Sequence, residues 1–329
     1  MPEKLFRAAL REALLEEMDA NDKIYLIGED IGRFGGAYRI TEGLLERFGE
    51  MRVVDAPIAE EVIVGSAIGS AMLGLRPVVE MMTVNFSLLA YDQIVQSAAK
   101  IRYMFGGKVA VPMVVRLPGG AGHQLSSQHS HSFELLYSFV PGLLAVAPTT
   151  PEDAKGLLKS AMRTDNPVMF LESMSLYNSK GEVPDGDYTT PLGKAAIRRQ
   201  GADLTIVGVS RQSVLAMAAA QRLEEEDVDA EVIDLRSLRP IDWTTIVNSV
   251  KKTNRLLVVE EGWPTYGVGA EISAGIQERA FDYLDAPIFR MGGAEVPMPY
   301  NQQLEKASIP SADDIVKRAL QVVGKNGAR

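Results

Sequence analysis

The sequence predicts an α/β protein of two three-layer α/β/α domains. Short, almost continuous apolar segments alternate with segments of helical period, which is typical of parallel strands covered by helices on both faces. The chain has 329 residues, more than an average single domain. A stretch rich in Pro, Gly and Asp interrupts the alternation near residue 180 and indicates a linker. The predicted domains are residues 1–178 and 195–329, joined by a linker of residues 179–194.

In the first domain the pattern of residue types predicts the order of the helices and strands. An amphipathic pattern predicts the opening helix, and Pro57 ends a strand because proline biases its predecessor away from helix. The helix that begins at Glu60 is apolar or small on every face, so we expect it to be buried. The other predicted helices are residues 3–18, 41–47, 88–103, a short helix after Ser132, and 151–163. The predicted strands are residues 23–30, 52–55, 76–83, 111–119, 143–149 and 167–173.

The second domain repeats the alternation. Apolar runs bounded by turn residues predict its strands, and segments of helical period follow each of them. The predicted strands are residues 203–210, 229–236, 255–261 and 287–291, and the predicted helices are residues 213–225, 243–252, 269–281 and 311–323. In a parallel sheet, ligands bind outside the carboxyl ends of the strands, so we expect functional residues just after them.

Composition excludes several classes of function. The chain has 34 basic and 43 acidic residues, a formal charge of −9, which argues against a nucleic acid or an anionic membrane as the main partner. It has no cysteine, so disulfides and thiol nucleophiles are excluded. The first helix carries four acids and lacks the apolar core of a secretory signal. No apolar run approaches the roughly 20 residues that span a bilayer. We therefore expect a cytoplasmic protein.

Glu60 is the first candidate for chemistry. Glu60 and Glu61 fall in the first turn of the apolar helix, where negative charge is favoured. Most acids in this position only complement the helix dipole. A carboxylate at the mouth of a buried helix can instead face a ligand, and its protonation then depends on that ligand.

Recognisable catalytic motifs are scarce. There is no Walker A loop, HExxH or GxSxG motif, and the three histidines lie together at His123, His129 and His131. A histidine-based metal site is disfavoured because no carboxylate stands at ligand spacing. Gly267, Val268 and Gly269 predict a strand-to-helix turn whose N-terminus can hold an anion, although a tight turn alone explains these glycines.

Five separated motifs give the sequence a family resemblance. It resembles the beta subunit of the pyruvate dehydrogenase E1 component nearly end to end, with the same motif order and spacing. The motifs are VVDAPIAE (53–60), EMMTVNF (80–86), SSQHS (126–130), EEGWPTYGVGAEI (260–272) and GGAEVPMPY (292–300). The resemblance implies an N-terminal fold that binds the pyrimidine of thiamin diphosphate and a C-terminal domain like that of transketolase.

The resemblance also implies a partner. The chain lacks the GDG motif, followed by asparagine, with which many thiamin enzymes hold Mg²⁺ and the diphosphate. In the family these groups are held by an alpha subunit within an α2β2 heterotetramer. The further partners implied are the E2 dihydrolipoyl acetyltransferase, whose binding domain docks on the second domain, and a 2-oxo acid substrate, pyruvate.

Site residues follow from the matched motifs. Glu60 matches the carboxylate that faces N1′ of the cofactor pyrimidine. Ile58, Met82 and Phe86 match apolar positions that line this ring, with Phe86 stacking on it. His129 matches an active-site histidine that hydrogen-bonds the substrate or the incoming lipoyl group.

A potassium ion is also implied. Its backbone ligands in the family correspond to Met113, Ala161, Met162 and Asn166. Thr164 stands where many members have aspartate, and an ordinary helix end before Pro167 explains the same residues.

Three alternatives remain open at this stage. The nearest is the beta subunit of an acetoin or branched-chain 2-oxo acid dehydrogenase, which shares most of these motifs. A homodimeric transketolase-like enzyme requires a diphosphate motif that this chain lacks. A non-catalytic α/β scaffold would not need Glu60 and His129.

Overall fold

The three-dimensional structure is a computed structural model and describes residues 1–325. The apolar runs form short strands, and the segments of helical period form most of the helices. The strands are β1 (Glu3–Leu5), β2 (Ile24–Gly28), β3 (Val53–Asp55), β4 (Arg76–Glu80), β5 (Val114–Gly119), β6 (Leu144–Val146), β7 (Val168–Ser173), β8 (Lys180–Glu182), β9 (Ala196–Arg199), β10 (Leu204–Gly208), β11 (Ala230–Asp234), β12 (Ser237–Arg239), β13 (Leu256–Val259) and β14 (Phe289–Met291).

Eleven α-helices accompany the strands in the described part of the chain. They are α1 (Phe6–Ala20), α2 (Leu44–Phe48), α3 (Glu60–Met72), α4 (Ile101–Met104), α5 (Glu134–Ser138), α6 (Pro151–Arg163), α7 (Gln212–Leu223), α8 (Trp243–Thr253), α9 (Val268–Ala280), α10 (Gln302–Ala307) and α11 (Ala312–Val322). None of the helices within residues 1–325 combines the length and the apolar character needed to cross a bilayer.

The chain divides into two compact units. The first unit contains residues 1–119 and 136–192, and the second contains residues 120–135 and the chain from Gly193 onward. Residues 120–135 therefore group with the second unit, although the sequence assigned them to the first domain. Residues 179–192, which the sequence assigned to a linker, group with the first unit because β8 pairs with β1.

The sheet of the first unit is parallel, as the apolar strands predicted. Its own strands follow the order β6, β7, β5, β4, β2, β3, and every neighbouring pair in this order is parallel. Strands β5 and β7 are buried at every position. The carboxyl ends of β2, β3 and β4 therefore lie at the same edge of the sheet, where the sequence predicted a ligand site.

Helices α1 and α6 pack on each other and bury their apolar faces in the same core. The acids of α1 have a structural role here. The ammonium group of Lys155, on α6, donates to Glu12 at 2.8 Å and to Glu16 at 2.7 Å. The Lys155 side chain is itself fully buried, and a buried charge requires such partners.

Local details differ from the sequence prediction at the opening helix and at residues 88–103. The opening helix begins at Phe6 because residues 3–5 form β1 and pair with β8. The predicted helix at 88–103 was wrong as one continuous helix. This segment divides into a 3-10 helix (Phe86–Ala90), a π-helix (Gln93–Ala98) and α4. Both irregular turns pack against α3, so tertiary packing overrides the helical period.

The second unit has a sheet of strand order β14, β13, β10, β11, β9. Strands β14, β13, β10 and β11 pair in parallel, and β9 adds an antiparallel edge that the sequence did not predict. Helices α7 and α11 pack together over one apolar core of this unit. Strand β13 ends immediately before Glu260 and Glu261, which places both carboxylates at the carboxyl edge of the sheet.

Candidate functional site

Glu60 is nearly buried, with 6% of its surface exposed. It is the first residue of α3, on the connection that follows the carboxyl end of β3. Among residues 1–325 no hydrogen bond or ion pair involves its carboxylate. A nearly buried glutamate without such a partner is a candidate for contact with a ligand.

Glu61 points in a different direction, as the helical turn of about 100° per residue predicts. Its side chain is exposed and accepts a long 3.4 Å hydrogen bond from Gln93. The two adjacent carboxylates are thus distinguished by burial. Glu61 is a matched exposed control for Glu60.

Glu29 is an acidic neighbour that the sequence did not single out. It directly follows β2, the strand between β3 and β4. Burial raises the pKa of Glu29, and the negative charges of Glu60 and Asp30 add to this effect. The strand edge therefore carries converging carboxylates. The position of Glu29 just after a buried strand was the sequence signal for it.

The apolar candidates lie at the same edge. Met82 and Phe86 follow β4 and are partly exposed, and Ile58 precedes α3 with 83% of its surface exposed. Isoleucine is usually buried and glutamate is usually exposed, so Ile58 and Glu60 show the reverse of the ordinary pattern. Between Met82 and Phe86, the buried hydroxyl of Thr83 has no hydrogen-bond partner within the described chain.

Helix α3 departs from the sequence prediction. We expected burial on all faces, and that was wrong for the single chain. Ile63, Val64 and Ala67 are buried, whereas Val62, Ser66 and Gly69 are exposed. A Cβ atom added at Gly69 would meet no other atom within 4 Å. The helix therefore presents an open face of small and apolar residues.

A buried ionic network lies beneath this edge. The guanidinium of Arg116, on β5, donates to Glu172 at 2.8 and 2.9 Å and also to Glu80, on β4. The hydroxyl of Tyr177 donates to Glu172 at 2.7 Å. These side chains are almost completely excluded from solvent. The two carboxylates and one arginine join neighbouring strands just before their carboxyl ends.

The residues predicted to bind potassium lie at another corner of the first unit. Ala161 and Met162 are in the last turn of α6, and Met113 and Asn166 precede β5 and β7. The carbonyl oxygen of Met162 already accepts a hydrogen bond from Arg76 at 2.9 Å. Further acceptors in this corner are also used: Arg76 donates to Thr164 and Asp165, Arg102 to Asn166, and Val168 to Met113.

His129 belongs to the second unit, in the segment of residues 120–132, which we call the histidine loop. Its backbone amide donates to Ser126 at 3.3 Å. His131 has a different environment: its ring stacks on Phe133 at 4.5 Å and meets the edge of Trp263. Burial lowers the pKa of His131, and the charge of His129 adds to this effect. His131 is thus an aromatic packing residue.

These histidines form no metal site with other residues of the described chain. Within residues 1–325, no group of three His, Asp or Glu side chains is arranged to hold a metal ion. His123 is exposed on the same loop.

Glu260 fills the helix N-terminus at which the sequence predicted an anion. Its carboxylate accepts hydrogen bonds of 2.9 Å from the amides of Val268 and Gly269, at the start of α9. A Cβ atom at Gly267 would lie 2.4 Å from this carboxylate, so the turn requires glycine there. The chain's own side chain therefore takes the anion position. Burial raises the pKa of Glu260 to about 7, against the effect of the two amides.

Glu134→Gln is expected to stabilise the protein at high pH only. Burial raises the pKa of Glu134 from 4.5 to about 8, and the charges of Glu261 and Glu260 act in the same direction. An acid whose pKa is higher in the folded chain binds its proton more tightly there, so its contribution to stability is lost as pH rises from about 4.5 to 8. Glutamine has no charge to bury. Urea denaturation should show a gain of roughly 1 kcal/mol or more at pH 9 and little change at pH 4.5. An equal gain at both pH values would contradict this explanation.

Two domain families match most of the chain. Residues 3–180 match the transketolase pyrimidine binding domain family, and residues 193–315 match the transketolase C-terminal domain family. A solved structure described as a split-gene transketolase, an inactive beta4 tetramer, superposes with a TM-score of 0.81 at 22% identity and covers 98% of both chains.

Relatives of known name are considerably more similar in sequence. The chain is 49% identical to the pyruvate dehydrogenase E1 component subunit beta of Rickettsia felis, over 96% of this chain and 97% of the relative. It is also 49% identical to the mitochondrial subunit beta of Dictyostelium discoideum, over 97% of this chain and 91% of the relative. Both domains, in the same order and over almost the whole length, are thus shared with these proteins. The chain belongs to the family of pyruvate dehydrogenase E1 component beta subunits.

Proposed function

We propose that this chain is the beta subunit of an E1 component that oxidatively decarboxylates pyruvate and reductively acetylates the lipoyl group of E2. The reaction depends on thiamin diphosphate. The observation that carries this proposal is Glu60, a nearly buried residue whose carboxylate has no hydrogen-bond or ion-pair partner in the described chain. It stands at the carboxyl edge of a parallel sheet in a domain of the transketolase pyrimidine-binding family.

The residues of this edge fit the aminopyrimidine half of the cofactor. Glu60 offers a carboxylate to a ring nitrogen, and Ile58, Met82 and Phe86 offer apolar and aromatic surface to a flat ring. The partnerless hydroxyl of Thr83 adds an unsatisfied buried polar atom close to them in sequence. Thiamin diphosphate, when bound, supplies the electron sink for decarboxylation of a 2-oxo acid.

The chain's own contribution is to hold a proton and orient a ring. Glu60 is the first residue of α3. Against the pyrimidine N1′ it would share one proton with that nitrogen, and exclusion of water would make this exchange specific. Phe86 would stack on the ring, and Ile58 and Met82 would confine it. Preorganised contacts of this kind cost no reorganisation during turnover.

The diphosphate and Mg²⁺ are assigned to an alpha subunit in an α2β2 heterotetramer. The sequence lacks a diphosphate motif, and the first unit presents apolar surface suited to a partner. Val62 on α3 is 66% exposed, and Leu88 and Leu89, on the turn that packs against α3, are 47% and 64% exposed. Exposed apolar surface of this kind marks protein interfaces.

We assign the remaining roles by domain. Residues 1–178 would bind the pyrimidine, residues 179–194 would connect the domains, and residues 195–329 would support dimerisation and dock the E2 dihydrolipoyl acetyltransferase. His129 would hydrogen-bond the substrate or the lipoyl group as a proton donor. The complex would work in the cytoplasm, without a nucleic acid or membrane partner.

The potassium ion is also part of the proposal. The ion would bind the carbonyl oxygens of Ala161 and Met162, in the last turn of α6. Met113 and Asn166 would be its other ligands. Carbonyl oxygens have two lone pairs, so Met162 can accept from Arg76 and still bind a cation. The carboxylate of Asp165, 3.0 Å from Arg76, offsets the added positive charge.

Cofactor binding tests the shared site directly. Calorimetry should show tight binding of thiamin diphosphate with Mg²⁺ only when the chain is co-expressed with its alpha subunit. The same mixture should decarboxylate pyruvate, and pyruvate should be preferred to acetoin and branched-chain 2-oxo acids. Tight binding by this chain alone would contradict the division of the site and favour a homodimeric enzyme.

A further inference from the structure

The histidine loop is held in a strained backbone conformation. Gln124 and Ser126 have φ angles of 56° and 66°, in the left-handed region that residues with side chains rarely adopt. Such a conformation is energetically unfavourable and persists only when its surroundings determine it. Because the amide of His129 donates to the carbonyl of Ser126, the position of His129 depends on this turn.

Glu305 holds the first half of the loop. It lies on α10 with 2% of its surface exposed. One carboxylate oxygen, Oε1, accepts from the amides of Gly122 at 2.9 Å and Gln124 at 3.1 Å. A buried carboxylate on a helix therefore fixes the backbone at one of the strained residues.

Glu261 joins the two ends of the loop. It is 7% exposed, and its Oε1 accepts from the amide of Ala121 at 2.7 Å and the hydroxyl of Ser132 at 2.9 Å. Its other oxygen lies 3.4 Å from the guanidinium of Arg211. The segment between these two attachments contains His129.

We propose that Glu305 and Glu261 are positioning residues for His129: they hold the strained histidine loop so that this side chain is presented in one place. This inference rests on the role of His129 in the proposed function. Neither glutamate needs to touch the substrate. Each acts by accepting backbone and hydroxyl hydrogen bonds that the loop would otherwise have to exchange with water.

Two variants of Glu305 test this inference. Glu305→Gln keeps the carbonyl-type oxygen that accepts both amides, whereas Glu305→Ala removes it. His129→Ala should slow one step of the reaction in the assembled α2β2 enzyme. Glu305→Ala should slow the same step about 10- to 100-fold, because a small misplacement of a reacting group has an effect of this size. Glu305→Gln should stay close to the wild-type rate. Glu278→Ala, which removes an acid that is 73% exposed on α9, is the control.

Two measurements separate positioning from general damage. Decarboxylation with an artificial electron acceptor and acetylation of a lipoyl domain should be measured for each single variant and for Glu305→Ala combined with His129→Ala. If Glu305 acts through His129, the double variant should be no slower than His129→Ala alone. Additive losses, or no loss in Glu305→Ala, would overturn the inference.

Hydrogen exchange provides a readout that does not depend on activity. Amides of residues 120–132 should exchange faster in Glu305→Ala and Glu261→Ala than in the wild type or Glu305→Gln. Unchanged exchange would overturn the anchoring itself. If the wild-type complex does not decarboxylate pyruvate, the proposed function is contradicted. The exchange result would still decide whether the two glutamates hold the loop.

Discussion

Glu60→Gln is expected to lower the rate of pyruvate decarboxylation by the assembled enzyme by about 10²- to 10⁴-fold, the usual contribution of a positioned acid or base. Glutamine keeps the size of the side chain and its capacity to hydrogen-bond, but it cannot exchange a proton with the pyrimidine N1′. Steady-state kinetics with pyruvate and calorimetry with thiamin diphosphate and Mg²⁺ check this result together. Binding should persist while turnover is lost.

Glu61→Gln is the matched control, because it changes the next carboxylate of the same helix turn. Its side chain is exposed, so activity should remain close to the wild type. Normal turnover after Glu60→Gln or Glu60→Ala would rule out a catalytic role for this residue. It would favour a protein that shares the fold without this chemistry. Equal losses in both variants would indicate a general effect of charge at the start of α3.

Arg116→Ala is expected to lower the free energy of unfolding by about 3 to 5 kcal/mol, the cost of breaking a buried ion pair by removing one partner. The change leaves Glu80 and Glu172 buried without their common cation. Burial already raises the pKa of Glu80, although Arg116 opposes this effect. In the variant, stability relative to the wild type should recover as pH falls, since protonated carboxyl groups cost less to bury.

Urea denaturation followed by circular dichroism, at pH 5 and pH 8, measures this effect. Arg39→Ala is the control, because Arg39 and Glu42 form an exposed pair 3.5 Å apart with half-exposed side chains. Exposed pairs contribute about 1 kcal/mol or less. Similar losses in the two variants would show that the buried network is not a principal source of stability.

The sequence by itself determined the parallel α/β architecture and predicted a candidate site at Glu60. The apolar runs at 76–83 and 167–173 predicted strands buried on both faces. Their spacing by helical segments required parallel pairing. Glu60 was recognisable because an acid opened an otherwise apolar helix within a family motif. These signals involve residues close together in the chain, so they can be recognised without the tertiary structure.

Only the tertiary structure decided which carboxylates have partners. Arg116, Glu80 and Glu172 are far apart along the chain, and pairing of β4, β5 and β7 brings them together. The same is true of Glu305, which meets the amide of Gly122 across 183 residues. A single sequence carries no local signal for such contacts, because they depend on the register of strands and the path of loops.

The exposed face of α3 shows the same distinction. The sequence showed a helix apolar on every side and therefore predicted burial, but the folded chain covers only the side of Ile63, Val64 and Ala67. Composition determines that a helix must be covered, since apolar surface is unfavourable in water. Tertiary structure determines how much of that covering the chain provides for itself, because only the fold places neighbouring elements against each face.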